Sequence, residues 1–488
     1  MEKITITKNF NYLSEFLRGI PSNCLINKGI TGCGGTTVEL KSERDSIILC
    51  PTRNLVTSKS NDRYLGVTGD TKSSDIKDYI KSDIEYKKII ATYDSLKRLM
   101  EIIPNYRNYF LLIDEYHLLF NDYSFRSDAI LYLLNNFREF KEWAFLTATP
   151  LKDEFILKEL KDIPQITYEW ENAVPVHINI KDTYFIQKEL FNLIDIYKDR
   201  NLHIFLNSVS TIYKITEKLN TDSFRVVCSE NSKTKIKNFS KINSPIAKYN
   251  FYTSCSFEGC DILDPDGYCI IISDTNIATT VLDISTKVRQ VCGRLRDSKY
   301  KDEVTLILNT SKHRYAGTTR ENFNKYVEES ERLGKVKANV ISKFSEDEMK
   351  AELRTYNKES YSNIYLNKYG NNIFYDENLK FLDLYNYDLI SEIYNNSISV
   401  IGECSKNNLI PKKESILNKK GLTWINEKLN ELNRNEYTYN ELEEIFAPLF
   451  KKHNMKWSHR VSINTLFPPY NKVRKTINRV RNTYYVFK

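Results

Sequence analysis

The chain has 488 residues, of which 41% are hydrophobic and 27% charged, with a formal net charge of +8. This is too apolar for a disordered chain, and at roughly 100–200 residues per domain it predicts about three domains. No run approaches the ~18–20 continuous apolar residues of a membrane span, Met1 to Phe10 lacks the pattern of a secretory signal, and the nine cysteines are scattered, so membrane protein, disulfide scaffold and zinc finger are set aside. Reduced thiols in a cytoplasm are expected.

The charge is uneven. Lys451 to Lys488 holds ten Lys or Arg and no Asp or Glu, which leaves the other 450 residues at about −2. A neutral body with a basic tail points to a localised polyanion contact, with a solubilising tail as the plain alternative.

In chain order, short apolar runs predict strands at Asn23–Asn27, Ser46–Pro51, Lys88–Tyr93, Tyr109–Glu115 and Trp143–Ala148. Such runs suit strands buried on both faces of a parallel sheet. Helical patterns separate them at Thr37–Lys41, Asp94–Ile103 and Arg126–Phe140. The pattern then restarts, with strands at His203–Asn207, Phe224–Ser229, Lys248–Ser254, Tyr268–Ser273 and Glu303–Asn309. Helices are expected at Thr211–Leu219 and Asp283–Leu295. This alternation predicts two doubly wound α/β units joined near Tyr168–Pro175. Beyond about Arg320, Glu321–Thr355 reads as charged helix and Tyr356–Asn396 carries little signal. Trp424–Leu432 and Tyr439–Lys452 read as amphipathic helices, Tyr470–Val480 as a basic helix, and Thr483–Phe487 as a short strand. That ending suits a winged-helix module.

The first predicted strand runs through Lys28 into Gly29-Ile30-Thr31-Gly32-Cys33-Gly34-Gly35-Thr36-Thr37. This is nearly the phosphate loop G-x-x-x-x-G-K-[ST]. Its glycines let backbone N–H groups point at phosphate oxygens, and the following helix presents its positive end to them. Thr36 falls where a hydroxyl binds Mg²⁺. Gly35 stands where the loop has lysine, the residue that contacts the β- and γ-phosphates. Lys28 is the nearest substitute, by proximity alone. A Gly-rich turn that has lost nucleotide binding is the alternative.

Tyr109 to Ile113 is an apolar run ending in Asp114-Glu115-Tyr116-His117, and a strand end is where an α/β sheet presents its ligand site. Asp114 suits a metal shell and Glu115 the orientation or deprotonation of a water. Thr147-Ala148-Thr149-Pro150 follows another apolar run, where an ordinary strand cap is the plain reading. The second unit carries Thr253-Ser254-Cys255-Ser256-Phe257-Glu258-Gly259-Cys260-Asp261 and Arg289-Gln290-Val291-Cys292-Gly293-Arg294-Leu295-Arg296. Arginines delivered from a second domain neutralise charge on a transferring phosphoryl group.

In this order, the set resembles the motifs of a superfamily 2 helicase of the DExH type, over roughly Asn23 to Asp297. Motif I resembles Gly29–Thr36 with its lysine replaced, motif Ia resembles Pro51-Thr52-Arg53, and Thr92–Leu96 resembles the strand-contacting motif that follows. Motif II resembles Asp114–His117, motif III Thr147–Thr149, motif V Thr253–Asp261, and motif VI Gln290-x-x-Gly293-Arg294. The second arginine of motif VI falls at Asp297, with Arg296 one place early. The composition and the variant loop are similar to helicase-like proteins of phages and mobile elements.

The resemblance implies two tandem RecA-like doubly wound parallel-sheet domains, 1–168 and 169–320, and a mainly helical accessory region, 321–488, with a basic tail. ATP and Mg²⁺ would lie between the domains. Lys28, Gly29, Thr31, Gly32, Cys33, Gly34, Gly35, Thr36 and Thr37, with Gly259 and Asp261, would bind nucleotide, and Thr36 and Asp114 the metal. Asp114, Glu115, Gln290, Arg294 and Arg296 would catalyse hydrolysis, and His117, Thr147 and Thr149 would couple it to the groove. Arg53, Thr92, Asn207, Ser208 and Thr253 would contact a nucleic-acid backbone, and Lys472, Arg474, Lys475, Arg479 and Arg481 in the tail would add affinity. As a helix, the tail would place Lys472, Lys475 and Arg479 on one face. Trp457 reads as packed core of a small module rather than a stacking residue.

The function this implies is an ATP-dependent helicase or translocase, with DNA favoured over RNA. A bacterial or phage-infected cytoplasm is the expected location, and replication or recombination proteins are the expected partners. Two alternatives stand: a helicase-like binding protein with a degenerate ATPase site, and a structural protein of a larger assembly.

Overall fold

The computed structural model describes residues 2–219, 221–310, 319–356, 364–412, 428–429, 431–432, 434, 436–452, 457, 470–477 and 480–487, with the side chains of 470–482 and 487 outside that description. The first sheet has eight strands: β1 (Glu2–Ile6), β2 (Cys24–Asn27), β3 (Ser46–Cys50), β4 (Leu65–Val67), β5 (Lys88–Thr92), β6 (Phe110–Asp114), β7 (Glu142–Thr147) and β8 (Gln165–Trp170). Their order is β1-β8-β2-β7-β6-β3-β5-β4, and every pair is parallel. Ile47 and Leu49 of β3 enter one apolar cluster and Ile48 and Cys50 the other, so helices cover both faces. Burying such side chains contributes roughly 1.5–3 kcal/mol each, which makes these strands legible as apolar runs.

The second sheet holds β9 (Val176–Asp182), β10 (Asn201–Phe205), β11 (Phe224–Val227), β12 (Tyr249–Tyr252), β13 (Gly267–Ser273) and β14 (Glu303–Leu308). Its order is β11-β12-β10-β13-β14-β9, with β17 (Leu409–Pro411) beyond β9, again all parallel. Two doubly wound parallel-sheet domains in tandem are therefore present, as expected. The expected helix Asp283–Leu295 forms as a π-helical turn, Ile284–Val288, leading into Arg289–Cys292, where it ends, with Asp283 capping its start through Ser285 and Thr286 N–H.

The accessory region is tied to both domains. The expected charged helix forms as two, Arg320–Ile341 and Glu346–Thr355, because Ser345 and Glu348 build a capping box that starts the second. A hairpin follows, β15 (Leu366–Tyr369) with β16 (Asn372–Tyr375), then helices Glu377–Tyr387 and Ser397–Lys406. After them β17 (Leu409–Pro411) completes the second sheet alongside β9. Leu379 and Tyr387 pack into the first domain's core, and Leu389, Val400 and Cys404 into the second's. Tyr385 belongs to both. Its ring lies 5.4 Å from Phe120 and 5.2 Å from Phe155, and its hydroxyl donates to Asp283, the cap of the Ile284–Cys292 helical segment.

The expected basic helix at Tyr470–Val480 is absent. Tyr470–Ile477 is strand β19, paired antiparallel with β20 (Val480–Phe487), which also pairs with β18 (Glu436–Thr438). Tyr, Val, Ile and Thr interleave with the basic residues, and such side chains favour a pleated surface once a partner strand exists. Lys472 and Lys475 therefore lie on a strand rather than on a helical face, and Arg479 lies outside the described residues. The predicted helix Tyr439–Lys452 is present, and Trp457 packs on it against Tyr439, Phe446 and Phe450 as module core. The prediction at Trp424–Leu432 lies mostly outside the described residues. Among the described residues all nine cysteines are free thiols, and no helix is long and apolar enough to cross a membrane.

Candidate nucleotide site

β2 delivers Lys28 and the loop to the carboxyl edge of the first sheet, and the short helix Gly35–Lys41 follows. Gly32 (φ 74°) and Gly34 (φ 81°) are left-handed, and a side chain at Gly32 would overlap the Arg296 guanidinium. The loop is held from outside. Trp170 Nε1 donates to the Lys28 carbonyl at 2.8 Å, and Leu13 N–H to the Cys33 carbonyl at 2.9 Å. Cys33 is buried, which pushes its thiol up to about 11 and makes it packing rather than a nucleophile.

A side chain at position 35 would require Leu146 to shift. A Cβ there would lie 2.6 Å from Leu146 Cδ2 and 3.5 Å from Lys28 Cδ. The Lys28 stem thus crosses the space, and its Nζ sits 2.9 Å from Glu115 Oε1 and 3.7 Å from Asp114 Oδ1. Burial alone would lower this lysine, but the Glu115 and Asp114 carboxylates outweigh it and hold Lys28 above its ordinary value.

Asp114 ends β6 and accepts from Thr36 Oγ1 at 2.7 Å. Glu115 has φ 54°, a strained value for a side-chain-bearing residue, and the Tyr93 hydroxyl bonds the Asp114 carbonyl at 2.6 Å beneath it. The Glu115 carboxylate also accepts from Thr147 Oγ1 at 3.1 Å. Burial first, then Lys28 and Lys287, hold His117 down at about 3, so its ring is neutral. With the Thr147 proton given to Glu115, Thr147 Oγ1 accepts from His117 Nδ1–H at 2.8 Å and from Thr149 N–H at 3.1 Å. The tautomer follows: His117 Nε2 carries no proton, and it is buried without a partner among the described residues.

The second domain closes the cluster. Gln290 Nε2 donates to Glu115 Oε2 at 2.8 Å and to Thr149 Oγ1 at 3.1 Å. Arg294 does not face the loop. It is buried, with Nε on the Gln290 carbonyl at 2.8 Å and Nη2 on Gln290 Oε1 at 3.2 Å, so it orients the amide. Arg296 packs on Gly32 and is ion-paired to Asp261 at 2.7 Å. Arg289, which sequence reasoning missed, donates to the Gly29 carbonyl at 3.0 Å. No local spacing announces it: the helix ends at Cys292, Gly293 is its C-cap, where a side chain would overlap Thr31, and Arg296 lies beyond it, so these residues meet the loop only through packing. Asp297 accepts from Asp264 N–H at 2.6 Å and serves the second domain's own fold.

Other expected residues are placed elsewhere. Gly259 (φ 71°) packs on Leu55 of helix Arg53–Lys59, away from the loop. Thr37 is half-buried in the first helical turn. Thr92 Oγ1 is spent on Ser95 at 2.9 Å, Ser208 caps helix Val209–Thr216, and Thr253 is buried against the Val227 carbonyl. Arg53 and Asn207 do line a cavity between the two sheets' carboxyl edges, with Arg53 paired to Asp70 and Asn207 to the Thr279 carbonyl. Lys472, Arg474 and Lys475 lie on β19 and Arg481 on β20, while Arg479 is outside the described residues.

No protein-family model and no curated protein matches this chain. Among solved structures it is similar to the helicase Lhr of Mycobacterium smegmatis bound to ssDNA and AMP-PNP, at 14% identity and a TM-score of 0.42, over 64% of this chain and 45% of that one. The chain thus spans less than half the length of that protein. It is also similar to Dbp5 of S. cerevisiae bound to RNA and ADP BeF3, at 12% identity and a TM-score of 0.42, over 64% of this chain and 85% of that one. Similarities this low carry no residue-level correspondence, and the chemistry rests on the side chains described above.

Proposed function

We propose that the chain is an ATP-dependent nucleic-acid translocase or helicase of the DExH type, with a rebuilt phosphate loop, that hydrolyses ATP between its two parallel-sheet domains and acts on DNA before RNA. One observation carries the proposal. The Glu115 carboxylate is contacted by Lys28 and Thr147 from its own domain and by Gln290 from the other, so one strained acid reports the relative position of both.

The residues present fit a metal-assisted phosphoryl site. Thr36 Oγ1 and Asp114 Oδ2, at 2.7 Å, are a hard-oxygen pair suited to Mg²⁺, whose remaining ligands would be phosphate oxygens and water. When bound, the metal supplies positive charge to the phosphates. Around the left-handed glycines, Lys28, Arg289 and Arg296 approach from three sides and neutralise phosphate charge in place of the lysine absent at position 35. Glu115 orients and deprotonates the attacking water. Gln290, held by Arg294, spans Glu115 and Thr149, and the His117–Thr147–Thr149 chain carries the state of that contact toward the cavity between the domains. Closure and reopening of this shared site is the two-state element that moves nucleic acid.

The Lys28 ion pair also supports a second reading, in which the ammonium replaces the metal and the protein binds nucleic acid without turnover. ATP hydrolysis with Mg²⁺, measured with and without single-stranded DNA, duplex DNA and RNA, separates the two. Stimulated turnover that Glu115→Gln abolishes is expected. Absence of turnover in every arm refutes the ATPase and leaves the binding protein.

A further inference from the structure

A cavity of about 560 Å³ lies between the domains, beside the nucleotide site, and its residues have no role in hydrolysis. It is formed by segments after β3 and β6 on one side and after β11 and β12 on the other. Phe125 projects into it with 71% of its surface exposed. Its position has a local cause. Tyr123 is fully buried with its hydroxyl on Asp376 at 2.7 Å, and Arg126 breaks helical geometry (φ −124°, ψ 22°) to reach the Pro51 carbonyl at 2.7 Å. Phe125, between two inward anchors, is left facing out. Across the cavity, Phe239 is held rigidly, since Val226 N–H donates to the Asn238 carbonyl at 3.0 Å and Ser240 N–H to the Val226 carbonyl at 2.9 Å.

Charges of both signs line the cavity, and of its acids Glu230 is ion-paired to Lys233 and Asp122 to Arg126. Lys241 and Lys287 line the cavity and make no ion pair among the described residues. Burial first holds the Glu258 carboxyl up at about 8, which favours its neutral form at pH 7, and burial also raises Asp122, which is ion-paired to Arg126. Lys287 works against both shifts, and Arg126 against that of Asp122. Planar apolar rings beside these two lysines fit an unpaired base with its phosphate. An apolar peptide would use the rings and leave the lysines unanswered.

We propose that Phe125 and Phe239 form a base-stacking site for single-stranded nucleic acid, so that the strand is gripped by its bases as well as its phosphates. The proposal rests on the nucleic-acid reading above and specifies the form of the substrate, because a base inside a duplex is already stacked and cannot reach the rings.

The test is binding at fixed salt of a single-stranded DNA oligonucleotide, its abasic counterpart and a blunt duplex to the full chain. Phe125→Ala should weaken binding of the ordinary single strand roughly 5- to 100-fold, the range for one lost aromatic–base stack. It should change neither duplex nor abasic binding, and Phe125→Trp should restore the loss. Unchanged single-strand binding by Phe125→Ala overturns the proposal, as does an equal loss on the abasic strand. If the wild-type chain binds none of the three at low salt, the nucleic-acid reading itself falls. Phe125 is exposed, so its variants test binding without disturbing the core.

Discussion

Lys28→Met removes the ammonium and keeps most of the stem that fills the space over Gly35. In the native protein the ammonium is 2.9 Å from Glu115 and 3.7 Å from Asp114 and buried. At an effective dielectric of about 20 these distances correspond to attractions of about 6 and about 4 kcal/mol, much of it offset by desolvation. Removing one partner of a buried pair nets a loss of about 3–5 kcal/mol, because the carboxylates stay behind uncompensated. For a domain of this size that lowers the first domain's thermal midpoint by about 10 °C. If Lys28 also serves phosphate, the variant loses a charge-assisted hydrogen bond worth about 1.5–3 kcal/mol, and nucleotide affinity falls roughly 10- to 100-fold. Calorimetry and titration with a fluorescent ATP analogue read the two effects separately. Destabilisation with unchanged nucleotide affinity refutes the phosphate role and leaves Lys28 as a counter-ion to the acids. An unchanged midpoint refutes the buried pair.

Four further outcomes are expected. Gly35→Ala places a methyl 2.6 Å from Leu146 Cδ2 and should cost about 1–3 kcal/mol by overpacking, read as a lower urea midpoint at constant slope. His117, held at about 3, stays neutral in the native state while the unfolded chain takes up a proton below about 6.5. Stability linked to it is therefore present above that pH and lost on acidification at roughly 1.4 kcal/mol per unit, and His117→Gln should flatten this slope between pH 6.5 and 4. Glu258, held up at about 8, has the opposite sign. Its contribution is complete below about 4.3 and lost as pH rises through 8, so Glu258→Gln should gain stability over wild type as the pH is raised from 5 to 8. Tyr385→Phe deletes the donor to Asp283 at the joint of both cores and should cost about 1–3 kcal/mol by thermal melting; no loss would show that the hydroxyl contributes nothing to the joint.

Five strands of each sheet were legible because each is an apolar run buried on two faces. The missed strands have the opposite character. β1 is half-exposed, β4 is three residues long, and β8 and β9 mix polar residues into every turn of the pleat. β17 adds to the second sheet from a segment more than 200 residues away from its partner β9, a pairing no local pattern announces. The first arm of the basic hairpin, Tyr470–Ile477, has a helical pattern in sequence for the same reason, while Thr483–Phe487 is legible as strand. Spacings of three and four are visible in one segment, whereas a strand depends on its neighbour.

The sequence by itself determined the alternation of elements, the loop, the paired acids and the glutamine, because each is a local pattern that its own chemistry requires. Which cation serves the loop was decided only in three dimensions. Leu146 would have to give way to a side chain at position 35, over which the Lys28 stem lies in contact. Arg294 turns inward to hold Gln290, while Arg289 in the helix and Arg296 in the segment beyond it both reach the glycine loop. Those assignments depend on packing between a strand of one domain and a helix of another, and such packing exists only once both have folded.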